Sequence, residues 1–450
     1  MDKIVVLGAG ESGVGAAVLA AKKGFDVLVS DNGTIKDSYR SMLDKHGIRY
    51  EQGGHTLSAI LEAVAVIKSP GIRNDLPIIL EIQKHNIPVI SEIEFAARYT
   101  SAKFVCITGS NGKTTTTMLT YNIMRDAGLD VALGGNVGKS FAMQVAEDVD
   151  HDYYVLELSS FQLDNMYDFR ADVAVLMNIT PDHLDRYNFC MQNYTDSKFR
   201  IIRNQRKEDL FVYFADDPIS AAEVEKRTFV QNVMPFSLAK QLPQGAYSQD
   251  DGSKIILNYN EKKYDINISN IQLKGRHNKC NIMASLLAAL HCGVDIQSAI
   301  KTITNFQPLE HRVEPCGEVD GVVYVNDSKG TNVDSVWYAL DSVGNNVVLI
   351  LGGVDKGNDY SQLFDIVERK VKAIVAMGVD NTPIIKAFGN RTKVVDTHSL
   401  EECLAQCRQL AESGDTVLLS PACASFDLFT CYEQRGDLFK EAVRRMMNGK

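Results

Sequence analysis

Several features are missing from this 450-residue chain, and each absence removes a class of function. No lysine- or arginine-rich tract interrupts the spread of a net charge of −10, which argues against nucleic acid or a membrane surface as the main partner. No apolar run approaches the ~20 residues of a membrane span. The opening "MDKIVVLGAG" goes directly into a strand and a glycine loop, without a basic-then-apolar leader. The expectation is a cytoplasmic protein, binding neither nucleic acid nor membrane. No C-x-x-C pair occurs among the nine cysteines, so neither a disulfide framework nor a zinc site has its spacing. Cys403 and Cys407 stand one helical turn apart, where core packing is favoured over a metal. Short-period repeats and low-complexity segments are also absent.

What is present reads as a globular protein, 45% hydrophobic and 23% charged, with length for about three domains. Strand and helix patterns alternate over residues 1–93, from "KIVVLG" through "DVLVSD" and "AVAVIKSPGI" to "IPVISEIEF". A second cycle runs from "KFVCITGS" through "DVALGGN", "YYVLELSS" and "VAVLMNIT" to "LFVYFADD". Over about 229–273 the texture changes to short alternating stretches such as "KIILNYNEKKYDINI", which predict antiparallel hairpins. After a helix over 278–294 and the proline-bearing junction "FQPLEHRVE", a third set follows: "VVYVND", "NVVLILGG", "VKAIVAMG", "KVVD" and "DTVLLSP". The prediction is an α/β protein of three domains: 1–93, Rossmann-like; 94–304, an ATPase-like parallel sheet with a small antiparallel addition; and 305–450, Rossmann-like again.

Two glycine loops carry the first chemistry. "GAGESG" (8–13) has the G-x-G-x-x-G spacing between a strand and a helix, with Asp31 ending the next strand. Such glycines allow a diphosphate to approach a helix N-terminus, and the acidic residue can accept ribose or base hydrogens. The motif does not name the nucleotide: a nicotinamide cofactor, or a turn that merely needs small residues, stays open. "TGSNGKTTTT" (108–117) misses the Walker A spacing, since Ile107 stands where the first glycine belongs and Gly109 comes first. Its setting still suits a phosphate loop. Backbone N–H groups of Gly109, Ser110, Asn111 and Gly112 would face phosphate, Lys113 would reach the β- and γ-phosphates, and Thr114 would ligate Mg²⁺ with Thr115 beside it. The plainer alternative, a capped helix start with an exposed lysine, is disfavoured by four consecutive threonines.

Two further residues fit a metal. Glu157 lies within the apolar strand "YYVLELSSF", where a lone carboxylate is costly unless it meets a cation; a core ion pair is the alternative. His183 follows the strand "VAVLMNIT", beside Pro181, Asp182 and Asp185. Lys198 in "YTDSKFRII" reads as a solvated helix lysine, and nothing in the composition suggests otherwise.

The blocks "TGSNGKTTT", "GGNVG" (134–138), "ELSSFQL", "NITPDHLDRY", "GRHNKCN", "LEHRVE", "NDSKGTN" and "LLSPACASFD" together resemble, in order and over the whole chain, the Mur ligases, in their D-glutamate-adding form. The resemblance implies a cytoplasmic, monomeric synthetase that takes UDP-N-acetylmuramoyl-L-alanine and D-glutamate. ATP phosphorylates the terminal carboxylate, the amine attacks the acyl phosphate, and phosphate leaves. By the same resemblance Lys113 contacts the transferring phosphate, Thr114, Glu157 and His183 hold two Mg²⁺ ions, and Lys198 is carbamylated and positions a metal. Asn136 and His183 border the muramoyl substrate. Asn278, Asn281, His311, Arg312 and Asp327 bind ATP, and Lys329 lies by the phosphates. Thr331, Lys356, Ser425, Phe426 and Tyr432 frame D-glutamate, and Ser12, Asp31 and Ser69 take the UDP moiety. The sequence departs from the family pattern at Asn32 and Gly33, at Gly330 where alanine is common, and at Tyr432 where phenylalanine is common.

Plainer readings accompany several of these residues. Lys356 suits an exposed loop, His311 and Arg312 a surface pair, Asn278 and Asn281 a helix cap, and Ser425 the cap of a helix begun by "FDLF". Another amide ligase of the Mur or folylpolyglutamate type is a second functional reading. An NAD-binding oxidoreductase or nucleotide sensor is a third, which gives Lys113 and Glu157 no role.

Overall fold

The computed structural model describes residues 1–449 except 148, 150, 250 and 251. Among the described residues twenty strands form three sheets. The first contains β1 (Lys3–Leu7), β2 (Asp26–Asp31), β3 (Arg49–Gln52), β4 (Ala65–Lys68) and β5 (Val89–Ile90), all parallel, in the order β3-β2-β1-β4-β5. The second contains β6 (Lys103–Thr108), β7 (Val131–Gly135), β8 (Tyr153–Glu157), β9 (Val173–Leu176), β10 (Leu210–Phe214), β11 (Asn232–Ser237), β12 (Gly245–Ser248), β13 (Lys254–Tyr259) and β14 (Lys262–Asn267). Its order is β14-β13-β12-β11-β10-β9-β6-β8-β7, and only the β12-β13-β14 edge is antiparallel.

The third sheet contains β15 (Glu314–Val319), β16 (Val322–Asn326), β17 (Val347–Gly352), β18 (Val371–Met377), β19 (Lys393–Thr397) and β20 (Thr416–Ala422). Its order is β15-β16-β20-β17-β18-β19, with β15 alone antiparallel. The α/β class and the antiparallel addition follow the sequence reading. Strands buried on both faces read as unbroken apolar runs: all six residues of β17 are buried, as are all seven of β20.

By compactness the chain forms two units, residues 1–269 with 280–304, and residues 270–279 with 305–450. In the first unit one apolar core runs from Ile4 and Val6 through Phe95, Phe104 and Phe141 to Phe211, so the first two sheets share buried contacts. Smaller cores line the two faces of the third sheet. Cys403 and Cys407 lie in one of these, and the nine cysteines are all thiols and not disulfides. Among the described residues no helix is long and apolar enough to cross a membrane.

In each sheet the order reverses beside one strand, which opens a crevice at the carboxyl ends of the strands there. The crevices fall between β1 and β4, around β6, and around β16 and β20.

Candidate active site

At the first crevice the glycine loop leaves β1. Gly8 has φ +91°, and a Cβ there would lie 2.6 Å from Ser69 Oγ. Ser69 follows β4 and donates to the Gly8 carbonyl at 3.2 Å. Ser12 stands in the first turn of the helix Glu11–Lys22. Asp31 ends β2, and both its oxygens accept backbone hydrogens, from Ala9 N at 2.6 Å and Gly33 N at 2.7 Å. The three candidate residues therefore gather at one edge, with Asp31 holding the loop in shape.

At the second crevice the shortened phosphate loop runs from β6 to the helix Lys113–Asp126. Gly109 and Gly112 take φ of +147° and +82°, a region that L side chains rarely adopt. Crossing contacts fix the loop: Ser110 Oγ donates to Thr180 O at 2.8 Å and lies 3.1 Å from Tyr194 Oη, while Asn111 N donates to Asn178 Oδ1 at 2.8 Å. Lys113 Nζ curls back to the carbonyls of Gly109 and Ser110 at 2.7 and 2.8 Å. The threonines form a buried helix despite their low propensity, and tertiary hydrogen bonds hold Thr116 within it. Thr116 Oγ1 donates to Asn281 Oδ1 at 3.1 Å, and Ser285 Oγ to the Thr116 carbonyl at 3.2 Å. Asn281 is thereby brought under the loop. Asn278, earlier on the same helix, donates to the Lys274 carbonyl at 2.8 Å.

The strand register places Glu157 beside Ile107 on β6 and Gly135 on β7. Its carboxylate is buried, and Oε1 accepts from Asn136 Nδ2 at 2.8 Å. His183 has left-handed backbone, φ +53°, with Nε2 3.6 Å from Asp182 Oδ2 and its ring edge-on to Phe161. Lys113, Asn136, His183 and Lys198 all line one cavity of about 270 Å³. Lys198 is 1% exposed, and its ammonium lies 4.6 Å from the centre of the Tyr194 ring. Burial, and then the charge of Lys113, hold its amine well below the usual lysine range.

In the second unit the candidates sit on loops at the carboxyl ends of β16, β17 and β20. Buried His311, at φ +60°, pairs through Nδ1 with Asn326 Nδ2 at 2.9 Å, and its ring stands edge-on to Tyr432. Burial pushes the Asp327 carboxyl up to about 7, against the hydrogen bond from Ser420 Oγ at 2.6 Å and the nearby charge of Arg312. Burial, then Arg312, push His277 down to about 4. Lys329 lies 5.0 Å from the centre of the Tyr432 ring, and Thr331 N donates to the Lys329 carbonyl at 2.9 Å. Gly330 leaves no room for the alanine of the family pattern, since a Cβ would lie 2.3 Å from Asp327 Oδ2.

Lys356 is exposed in a loop fixed by Asp355, which accepts from Gly357 N, Asn358 N and Tyr360 Oη. Ser425 is buried and Phe426 is 72% exposed. "FDLF" forms a turn closed by Phe429 N on the Ser425 carbonyl, not the helix expected there. Asp427 diverts that segment by accepting from Val379 N at 3.0 Å, and the next helix begins at Tyr432.

Sequence reasoning passed over several residues that build these sites. Tyr194 and Phe161 wall the cavity, and Arg435, 1% exposed, ties two loops by donating to Ser328 and to the Cys423 carbonyl. Ser159 and Gln162 form a capping box at the cavity edge, a spacing readable in "SSFQ".

Among the described residues no three His, Cys, Asp or Glu side chains lie close enough to hold a metal ion by themselves. Magnesium needs no such cage, since it keeps several waters and uses one or two carboxylates with substrate phosphates. The Thr114 hydroxyl at the helix start and the Glu157 carboxylate beside the loop are donors of that kind.

Three family models match the chain: the MurD N-terminal domain over residues 3–77, the Mur ligase middle domain over 107–289, and the Mur ligase, glutamate ligase domain over 311–423. The UDP-N-acetylmuramoylalanine–D-glutamate ligase of Bacteroides fragilis is 51% identical over 449 residues, covering 99% of this chain and 100% of the relative. Among solved structures, the MurF ligase of Thermotoga maritima in complex with ADP matches with a TM-score of 0.60 at 17% identity, over 94% of this chain and 97% of that one. The UDP-N-acetylmuramate-alanine ligase MurC of the same organism matches with a TM-score of 0.60 at 17% identity, over 100% of both chains. These two likenesses concern the fold.

Proposed function

The chain belongs to the Mur ligase family, and we propose that it joins D-glutamate to UDP-N-acetylmuramoyl-L-alanine at the expense of ATP, as a step of peptidoglycan precursor synthesis. The observation that carries this reading is the single cavity where the phosphate loop's Lys113 meets Asn136, His183 and the buried Lys198, in a chain 51% identical throughout to a D-glutamate ligase.

The chemistry follows from the acyl donor. A carboxylate is a poor electrophile until one oxygen leaves as phosphate. The terminal carboxylate oxygen of the alanyl group attacks the γ-phosphorus, and the bond to the β-phosphate oxygen breaks with release of ADP. The D-glutamate nitrogen then attacks the acyl carbon, and the tetrahedral adduct expels inorganic phosphate as the nitrogen loses its proton. Cations must screen the two anions brought together. Lys113 serves the transferring phosphate, while the backbone of Gly109, Ser110, Asn111 and Gly112, with Thr115, cradles it.

Thr114, Glu157, His183 and carbamylated Lys198 would hold two Mg²⁺ ions, which supply positive charge against the phosphates. The setting of Lys198 favours carbamylation, because an amine held below its usual range is more often the free base that attacks carbon dioxide. Asn136 and His183 border the muramoyl group, and Ser12, Asp31 and Ser69 take the uridine diphosphate. Asn278, Asn281, His311, Arg312 and Asp327 bind ATP. Lys329 meets the phosphates, and Thr331, Lys356, Ser425, Phe426 and Tyr432 frame D-glutamate. On this reading residues 1–93 serve the UDP substrate, 94–304 serve ATP and also the muramoyl group, and 305–450 serve the amino acid and also ATP through His311, Arg312, Asp327 and Lys329. One chain supplies every residue named, which supports reading the enzyme as a monomer, acting in the cytoplasm as the family resemblance implies.

The test is phosphate release from ATP with UDP-N-acetylmuramoyl-L-alanine and a panel of amino acids. Turnover that depends on D-glutamate is expected; turnover with another amino acid instead would overturn the assignment.

A further inference from the structure

The loop after β4, residues 69–73, links two sites that are otherwise separate. At one end Ser69 touches the glycine loop of the first sheet, and at the other Pro70 and Gly71 line the cavity that holds Lys113 and Lys198. The UDP substrate must run along this stretch to bring its carboxylate to the phosphate loop.

Two arginines hold the loop, one from each side. Arg186, on the short turn Leu184–Tyr187 beyond His183, donates through Nη1 to the Gly71 carbonyl and through Nη2 to those of Pro70 and Ile72, each at 3.2 Å. Its guanidinium lies 4.1 Å from the centre of the Phe161 ring, which forms the cavity wall beside His183. In return Arg73 donates to Asp185 Oδ2 at 3.2 Å and to the Asp185 carbonyl at 3.0 Å. Lys68 Nζ also donates to the Ile72 carbonyl, at 2.7 Å. Three consecutive carbonyls thus turn toward cations.

This arrangement concentrates positive charge on the backbone carbonyls of the loop. Burial and the charge of Arg73 both lower the Arg186 pKa, so the guanidinium is held there at a cost. A planar fork that bonds three carbonyls while stacking on a ring fixes position as well as charge, which an ammonium cannot do.

We propose that Arg186 is a positioning residue for the UDP substrate, fixing the 69–72 loop against Phe161 so that both walls of the cavity are in place, with Arg73 as its weaker counterpart. The inference rests on the ligase reading, and its test is arranged to separate the two. Wild-type turnover with D-glutamate checks the reading itself. Calorimetric binding of UDP-N-acetylmuramoyl-L-alanine to wild-type protein and variants, without ATP or D-glutamate, checks the positioning role independently.

Arg186→Ala is expected to weaken that binding about tenfold and to raise KM for the UDP substrate equally, leaving KM for ATP and D-glutamate within about twofold. Arg186→Lys is expected to recover part of the loss. Arg73→Ala, at the more exposed contact, is expected to weaken binding about threefold and keeps the test alive if Arg186→Ala does not fold. Unchanged binding in Arg186→Ala and Arg73→Ala, or a fall in kcat with every KM unchanged, would overturn the proposal.

Discussion

Glu92 offers the most quantitative test of how the first two sheets are joined. It opens the helix Glu92–Ala96, is 3% exposed, and accepts at Oε1 from Ser140 Oγ at 2.6 Å and Ala142 N at 2.7 Å. Glu11 reaches the same place, accepting from Ser140 N at 3.1 Å. Gly15 makes the approach possible, since a Cβ there would lie 2.2 Å from Ser140 Oγ. Burial raises the Glu92 carboxyl from 4.5 to about 7, the charge of Glu11 adds to this, and the hydrogen bonds from Ser140 and Ala142 oppose it.

Because the folded value lies above the unfolded one, the protonated carboxyl favours the native state. That contribution is fully present below pH 4.5, falls as pH rises toward about 7, and is gone above it. The difference of about 2.5 pH units, at ~1.4 kcal/mol each, amounts to about 3 kcal/mol. Glu92→Gln keeps the acceptor oxygen and cannot ionise. It should match wild type near pH 4.5 and exceed it above pH 7 by about 3 kcal/mol, which corresponds to roughly 3–5 °C in the unfolding midpoint. Calorimetric scans of both proteins at pH 5 and pH 8 measure this. An equal gap between wild type and variant at the two pH values would refute a buried, protonatable Glu92.

Three further outcomes probe the sites. Gly112→Ala forces a side chain into φ +82° and to 2.7 Å from Asn281 Oδ1, so it should cost about 1–2 kcal/mol and raise KM for ATP, with KM for the UDP substrate unchanged. Equal ATP kinetics would show that the loop tolerates a Cβ. Tyr360→Phe removes the donor to Asp355 Oδ2 at 2.8 Å that steadies the Lys356 loop, and should raise KM for D-glutamate about fivefold; an unchanged value would separate that loop from the amino acid. Lys198→Ala should lower kcat at least about a hundredfold, with partial rescue by a short carboxylic acid, and unchanged turnover would exclude the carbamate role.

What the sequence made legible was whatever depends on local pattern. Strands buried on both faces, such as β17 and β20, announced themselves as apolar runs, and the phosphate loop was readable from a strand, two glycines and Lys113 despite its irregular spacing. Two strands at sheet edges were not readable in this way. β3 is "RYEQ", with no buried residue, and β15 is "EPCGEV", with one, so both rely on a neighbour's hydrogen bonds instead of an apolar face. Side-chain roles were harder still. Lys198 looks like any helix lysine until the fold buries it against Tyr194, and nothing near Asp31 in the sequence shows that both its oxygens also hold backbone N–H groups. Arg73 and Arg186 look like surface charges because the contacts that join the 69–73 loop to the turn Leu184–Tyr187 lie 112 to 116 residues apart along the chain.

Burial of charge separates the joints of this protein from its sites. At the joints each buried charge meets partners supplied by the chain: Glu92 is served by a hydroxyl and an amide, and Arg186 by three carbonyls. In the cavity two amines lie near each other: Lys113 meets the carbonyls of Gly109 and Ser110, while burial and then the charge of Lys113 depress the pKa of Lys198. Like charges in a low-dielectric cavity oppose folding, and such cost persists where function requires it. An anionic ligand beside Lys113 would relieve it from one side. A carbamate on Lys198 would relieve it from the other by turning repulsion into attraction. Both changes are the ones that carrying phosphate from ATP to a carboxylate requires, so the electrostatic strain in the cavity and the proposed chemistry have the same remedy.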